Sequence, residues 1–204
     1  MNVVIIDYNM GNLGSVRRSF EECGAQVTCS QTPSELRSAS KIVLPGVGSF
    51  YDGMQHLNTM DWIQEIRQAA LVEKIPLLGI CLGMQLLADH GTEGGNMEGL
   101  GLIPGKVEKL SPPSGEERLP HVGWNEISIT RPHPILSGIQ DRDDFYFVHS
   151  YHFRALNEED VVAQTPYCGH FTSVVAHKNI LGTQFHPEKS SKAGFRLIRN
   201  FLSL

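Results

Sequence analysis

The chain has 204 residues, of which 41% are hydrophobic and 19% charged, and its formal net charge is -5. That composition belongs to a folded chain with a core and excludes a disordered one. The negative balance argues against the broad positive surface on which nucleic-acid binding rests.

In chain order, Val3-Val4-Ile5-Ile6-Asp7 is an apolar run ending in an acid, the pattern of a buried parallel strand. The run is too short, and lacks the preceding basic stretch, for an export signal. A helical stretch follows, with Leu13, Val16 and Phe20 on one face. Residues 25–29 read as a weak second strand. Thr32-Pro33-Ser34-Glu35 reads as a capping box with proline at the first helical position. A third strand over 41–44 is closed by Pro45-Gly46. A helix over 60–72 would bury Trp62, Ile63, Ile66, Ala70 and Leu71. Then come a strand over 77–80 and a helix over 82–88. The apolar stretch they form is interrupted by Gly and Gln and cannot span a bilayer.

Strand alternating with helix implies a mostly parallel sheet covered by helices. The second half differs. Residues 94–105 are glycine-rich and loop-like, and 111–118 form a Pro/Gly/charge segment with the composition of an exposed mobile loop. Strand-like pieces over 121–130, 145–149, 161–165, 173–176 and 180–185 suit antiparallel additions to the sheet. A last helix starts near Ser190 or Ser191, with Phe195, Ile198, Phe201 and Leu202 facing inward. The expectation is a single α/β domain over residues 1–204, since neither a repeat nor a long linker divides it. The four cysteines, Cys23, Cys29, Cys81 and Cys168, contain no C-x-x-C pair, and reduced cytoplasmic thiols are expected.

Gly79-Ile80-Cys81-Leu82-Gly83 has the G-x-C-x-G form of a nucleophile elbow, a strained turn between strand and helix that presents its central side chain. The helix start beneath the sulfur favours thiolate and an oxyanion. Taken alone, the pentapeptide also fits a buried structural cysteine between glycines. His186 follows the strand-like run 180–185, where strand ends gather and ligands bind in open parallel sheets. Alternation puts Glu188 on the same side as His186, where a carboxylate orients an imidazole that serves a thiol. A His-Pro-Glu tripeptide alone would fit a surface turn; with the elbow, a Cys81-His186-Glu188 triad is favoured. Pro45-Gly46-Val47-Gly48 allows close backbone approach, and its N–H groups together with that of Leu82 could form an oxyanion hole; in isolation it fits an ordinary turn.

These residues resemble the class I, triad-type glutamine amidotransferases. Further segments are similar to one branch of them, the glutaminase subunits of imidazole glycerol phosphate synthase. They are Asp7-Tyr8-Asn9-Met10-Gly11-Asn12, Leu44 to Gly48, Glu93 to Asn96 with Gly99 to Gly105, Pro120-His121-Val122-Gly123-Trp124-Asn125, and Phe145 to Tyr151. The resemblance spans nearly the whole chain. It implies attack by Cys81 on the side-chain amide of L-glutamine, proton transfer through His186, and orientation of His186 by Glu188. It implies substrate contacts at Gly46, Val47, Gly48, Leu82, Gln85, His149, Ser150 and Tyr151. It implies delivery of ammonia to a (β/α)8 barrel cyclase in a heterodimer serving histidine biosynthesis, met through Asn9, Asn12, Trp124 and Tyr146; proximity to His186 adds Lys189 to these contacts. Simple core packing is the alternative for Trp124, and a solvated helix face for the row Lys189, Lys192, Arg196 and Arg199.

The glycine-flanked Val47 peptide can reorient at low cost. Its N–H is expected to point away from substrate until the partner binds its nucleotide. No cofactor, nucleic acid or membrane partner is expected. A metal site is disfavoured because His149-x-x-His152 has no evident third ligand. The rival readings are a glutaminase serving another synthase, such as one of surface-sugar synthesis, a peptidase with the same elbow, and a binding module with a dead site.

Overall fold

The computed structural model describes residues 1–112 and 117–204. The centre of the expected loop over 111–118 therefore lies outside the described residues.

The strands are β1 Asn2–Ile6, β2 Gln26–Ser30, β3 Lys41–Gly46, β4 Leu77–Cys81, β5 His90–Gly91, β6 Met97–Glu98, β7 Gly105–Lys109, β8 His121–Glu126, β9 Ser128–Ile129, β10 Asp144–His149, β11 Tyr151–Ala155, β12 Val161–Pro166, β13 His170–His177 and β14 Ile180–Thr183. The α-helices are α1 Leu13–Glu22, α2 Phe50–Thr59, α3 Trp62–Arg67, α4 Leu82–Leu86 and α5 Ser191–Ser203.

The main sheet runs β2-β1-β3-β4-β14-β13-β12-β9. Its first five strands are parallel, and β13, β12 and β9 extend it antiparallel. The all-apolar runs at its centre have the two-sided burial of a parallel strand. In β1, Val4 and Ile6 join the core beneath α2 and α3, while Val3 and Ile5 join the core beneath α1 and α5. Alternation along the strand thus feeds two apolar layers.

Several expectations are corrected. Not all late strands extend the main sheet: β10 pairs with β8 in a separate ribbon, and β11-β7-β5-β6 form another small sheet. Short strands of alternating character can pair with any free edge, which the linear pattern does not specify. Helix α2, absent from the sequence reading, is capped by Ser49, whose Oγ accepts from Asp52 N at 3.1 Å. Residues 33–38 form a 3-10 helix in which the Thr32 side chain makes no cap bond. Helix α3 passes into a π turn over Gln68–Val72, closed by Glu73 N donating to Gln68 O at 3.1 Å. The wider turn rotates the face, so Ala69 and Ala70 are buried and Leu71 is exposed. In α5, Leu197 is buried and Phe195 only half so.

Candidate active site

Register brings the expected residues together. Gly46 at the end of β3 lies opposite Cys81 at the end of β4. On the other side of β4, Thr183 of β14 pairs with Ile80, so the chain leaves β14 toward His186 beside the same strand end. Three C-terminal strand ends thus meet at one crevice, where open α/β sheets bind ligands.

Cys81 occupies the turn with φ 54° and ψ -110°, a left-handed conformation that costs an L-residue about 1–3 kcal/mol. Its neighbours make the turn possible. A Cβ on Gly83 would sit 1.7 Å from Leu44 O, and one on Gly79 would sit 2.6 Å from Gly83 O. Helix α4 is two residues shorter than expected, so fewer peptide dipoles align beneath the sulfur.

The thiol donates to Val148 O at 3.9 Å and receives Gln184 Nε2 at 3.7 Å. His186 Nδ1 bonds Glu188 Oε1 at 2.9 Å, with both side chains 4% exposed. His186 Nε2 is buried and makes no hydrogen bond among the described residues. Burial opposes a charge on this ring, but the Cys81 and Glu188 side chains outweigh it and raise its pKa to about 10. The sulfur and the carboxylate thus both favour the charged ring. Catalytic hydrogen bonds of this kind commonly tighten only when substrate binds.

Beside Cys81 lies a cavity of about 200 Å³ lined by Val47, Gly48, Cys81, Leu82, Gln85, Glu93, Val148, His149, Ser150 and Tyr151. Seven of the eight expected substrate residues are therefore in its wall. Gly46 lines instead an adjoining small cavity with His186 and Glu188. The Val47 N–H donates to Met10 O at 2.8 Å and is not free to meet a substrate oxygen.

The family described as "Glutamine amidotransferase class-I" matches residues 4–203. The chain belongs to that family. Its curated relatives include "Imidazole glycerol phosphate synthase subunit HisH 1" of Campylobacter jejuni strain RM1221, 43% identical over 99% of this chain and 100% of that protein. The protein named as subunit HisH from Sulfurimonas denitrificans is 46% identical over 98% of this chain and 96% of its own length. Among solved structures, a glutamine amidotransferase from Thermotoga maritima covers 100% of this chain and 83% of its own, with TM-score 0.69 and 21% identity. Another glutamine amidotransferase gives TM-score 0.73 at 20% identity, with 98% and 97% covered. These two likenesses establish the amidotransferase fold.

Of the expected partner-facing residues, Asn12, Tyr146 and Lys189 lie beside His186, and Trp124 packs on Tyr146. Lys189 Nζ lies 5.7 Å from the centre of the Tyr146 ring, and Trp124 meets that ring edge-on at 6.2 Å. Trp124 is 55% exposed, which overturns core packing as its explanation. Asn12 and Lys189 line the small cavity with His186. Asn9 is exposed, and its Nδ2 contacts Met60 Sδ at 3.5 Å.

Sequence reasoning missed Gln184, Ser190, Val148 and Glu93. Gln184 is fully buried and bridges the nucleophile to Gln85, whose Nε2 donates to Gln184 Oε1 at 3.0 Å. A glutamine closing an apolar strand, two residues before His186, was the available signal. Ser190 donates to His186 O at 2.6 Å and accepts from Tyr146 N at 3.0 Å. No local pattern marks that bond.

Proposed function

We propose that this chain hydrolyses L-glutamine to L-glutamate and ammonia, and passes the ammonia to a (β/α)8 barrel cyclase in histidine biosynthesis. The observation that carries the reading is the strained thiol of Cys81, placed at the strand ends with the buried His186–Glu188 pair and opening on a small cavity. Near full-length identity to proteins named as imidazole glycerol phosphate synthase subunits supports the destination of the ammonia.

The chemistry follows from the groups present. The Cys81 sulfur attacks the carboxamide carbon, and His186 holds the thiol proton. The tetrahedral intermediate collapses, the C–N bond breaks, and His186 gives that proton to the departing nitrogen. Water, deprotonated by His186, then cleaves the glutamyl thioester. Glu188 keeps the imidazole in the useful tautomer and offsets its charge. Leu82 N–H and a turned Val47 N–H stabilise the oxyanion.

The bond from Val47 N–H to Met10 O supports a gate that the partner opens. Trp124, Tyr146 and Lys189, grouped beside the triad, suit the docking face, and sealing there would keep ammonia from protonation in solvent. The test is glutamate release by the chain alone, with the co-purified cyclase, and with cyclase plus nucleotide. Substantial release should require the complex and rise with nucleotide. Cys81→Ala should abolish glutamine use while the complex still consumes ammonium salts. Equal turnover in all three conditions, or glutamate formation by Cys81→Ala, would contradict the reading.

A further inference from the structure

A run of buried polar groups leads from the cavity wall to His121 and Asn125, for which the reaction gives no role. Antiparallel pairing of β8 with β10 sets His121 opposite His149. His149 Nδ1 lies 2.8 Å from Tyr151 O, a carbonyl that only accepts, so Nδ1 carries the proton. In the neutral ring, His149 Nε2 must then accept, and its neighbour at 3.1 Å, His121 Nδ1, donates. His121 Nε2 in turn accepts from Asn125 Nδ2 at 3.2 Å. The Asn125 amide is itself oriented, since Glu126 N donates to its Oδ1 at 2.9 Å and its Nδ2 also donates to Pro166 O at 3.2 Å. Every donor in the chain is thereby assigned. Burial holds both rings neutral, pushing His121 down to about 4 and His149 to about 3.

The chain ends at the cavity wall. Tyr151 O also accepts from Gln85 Nε2 at 2.8 Å, and Gln85 leads through Gln184 toward Cys81. Two donors on one carbonyl fix the direction of that peptide. We propose that His121 is a positioning residue of the glutamine cavity, acting through His149 on the Tyr151 carbonyl. This rests on the glutaminase reading above and adds to it a residue that lines no part of the cavity.

Without the His121 donor, His149 Nε2 is left buried and unpaired, and the ring loses the contact that holds its Nδ1–H on Tyr151 O. The Tyr151 carbonyl reaches the sulfur only through Gln85 and Gln184, so the loss falls chiefly on binding shared by ground and transition states.

The test uses the complex with its cyclase and nucleotide. His121→Phe keeps a ring between Phe147 and Tyr167, on which His121 stacks at 5.0 and 3.9 Å, but donates nothing. His121→Asn keeps an N–H near the position of Nδ1. His121→Phe should raise KM for glutamine about ten-fold, equivalent to about 1.4 kcal/mol, with kcat within about two-fold. His121→Asn should bring KM back to within about three-fold of wild type. Melting temperatures of all three are measured alongside. A His121→Phe complex with wild-type KM, whatever its melting temperature, overturns the role, as does a His121→Asn complex no better than His121→Phe. If the wild-type complex forms no glutamate, the glutaminase reading itself falls and this role falls with it.

Discussion

At Cys81, a left-handed backbone is held in place by two glycines that no other residue could replace without collision. That requirement made the elbow legible, because close backbone approach leaves glycines at fixed spacing. The His186–Glu188 pair was legible as a base and a carboxylate just after a strand, but the expected alternation is corrected: Pro187–Lys189 form a 3-10 turn, and that turn brings Glu188 Oε1 to within 2.9 Å of His186 Nδ1. Gln184 was not legible, because its role arises from contacts with Gln85 and Cys81, each about a hundred positions away. The protonation of His186 gives a prediction at this scale. Its folded pKa, raised from 6.5 to about 10 against the effect of burial, means the native chain retains a proton that the unfolded chain releases. The stabilisation from this group is complete below pH ~6.5 and is lost as pH rises through about 10. In an NMR titration, the wild-type ring should remain charged at about pH 8, and Cys81→Ala should lower its midpoint. An unchanged midpoint in Cys81→Ala would contradict the coupling between sulfur and imidazole.

Strand order and register position the site at the level of elements. The parallel half of the sheet was readable because two-sided burial leaves continuous apolar runs and because crossover helices alternate with them. The small sheets were less readable. β5 and β6 have two residues each, and β11 follows β10 after Ser150 alone, so no turn signal separates the two strands. Helix α2 escaped notice although Ser49 and Asp52 at its start carried the capping signature. One side chain ties two of these elements at the site. Ser190, at the start of α5, holds both the His186 carbonyl and the Tyr146 amide of β10. Ser190→Ala removes the donor to the buried His186 carbonyl and the acceptor of the part-buried Tyr146 amide, which should cost about 1–3 kcal/mol. Each kcal/mol lowers the melting temperature of a chain this size by about 2–4 °C. Glutamate release should fall in kcat more than it changes KM, because the imidazole moves and the cavity does not. Full stability and activity in Ser190→Ala would remove this tie from the account.

For the molecule as a whole, the parallel sheet supplies the strand ends and the added strands build the cavity wall. The main sheet brings Gly46, Cys81 and His186 to one edge, while β10 and the segment leading into β11 supply His149, Ser150 and Tyr151 opposite them. The ribbon of β8 and β10 also carries Trp124 and Tyr146 to the exterior beside the same site. Cavity wall and proposed docking face are thus parts of one ribbon, so a partner seated on Trp124 bears on strands that shape the substrate pocket. All of this turns on whether the Cys81 sulfur forms a bond to the substrate carbon. The direct measurement is rapid acid quenching of the complex during glutamine turnover, followed by mass spectrometry of its peptides. A glutamyl adduct should appear on the peptide bearing Cys81 in the wild-type complex and be absent in Cys81→Ala. Glutamate accumulating with no adduct at Cys81, when a control thioester survives the same quench, would contradict it.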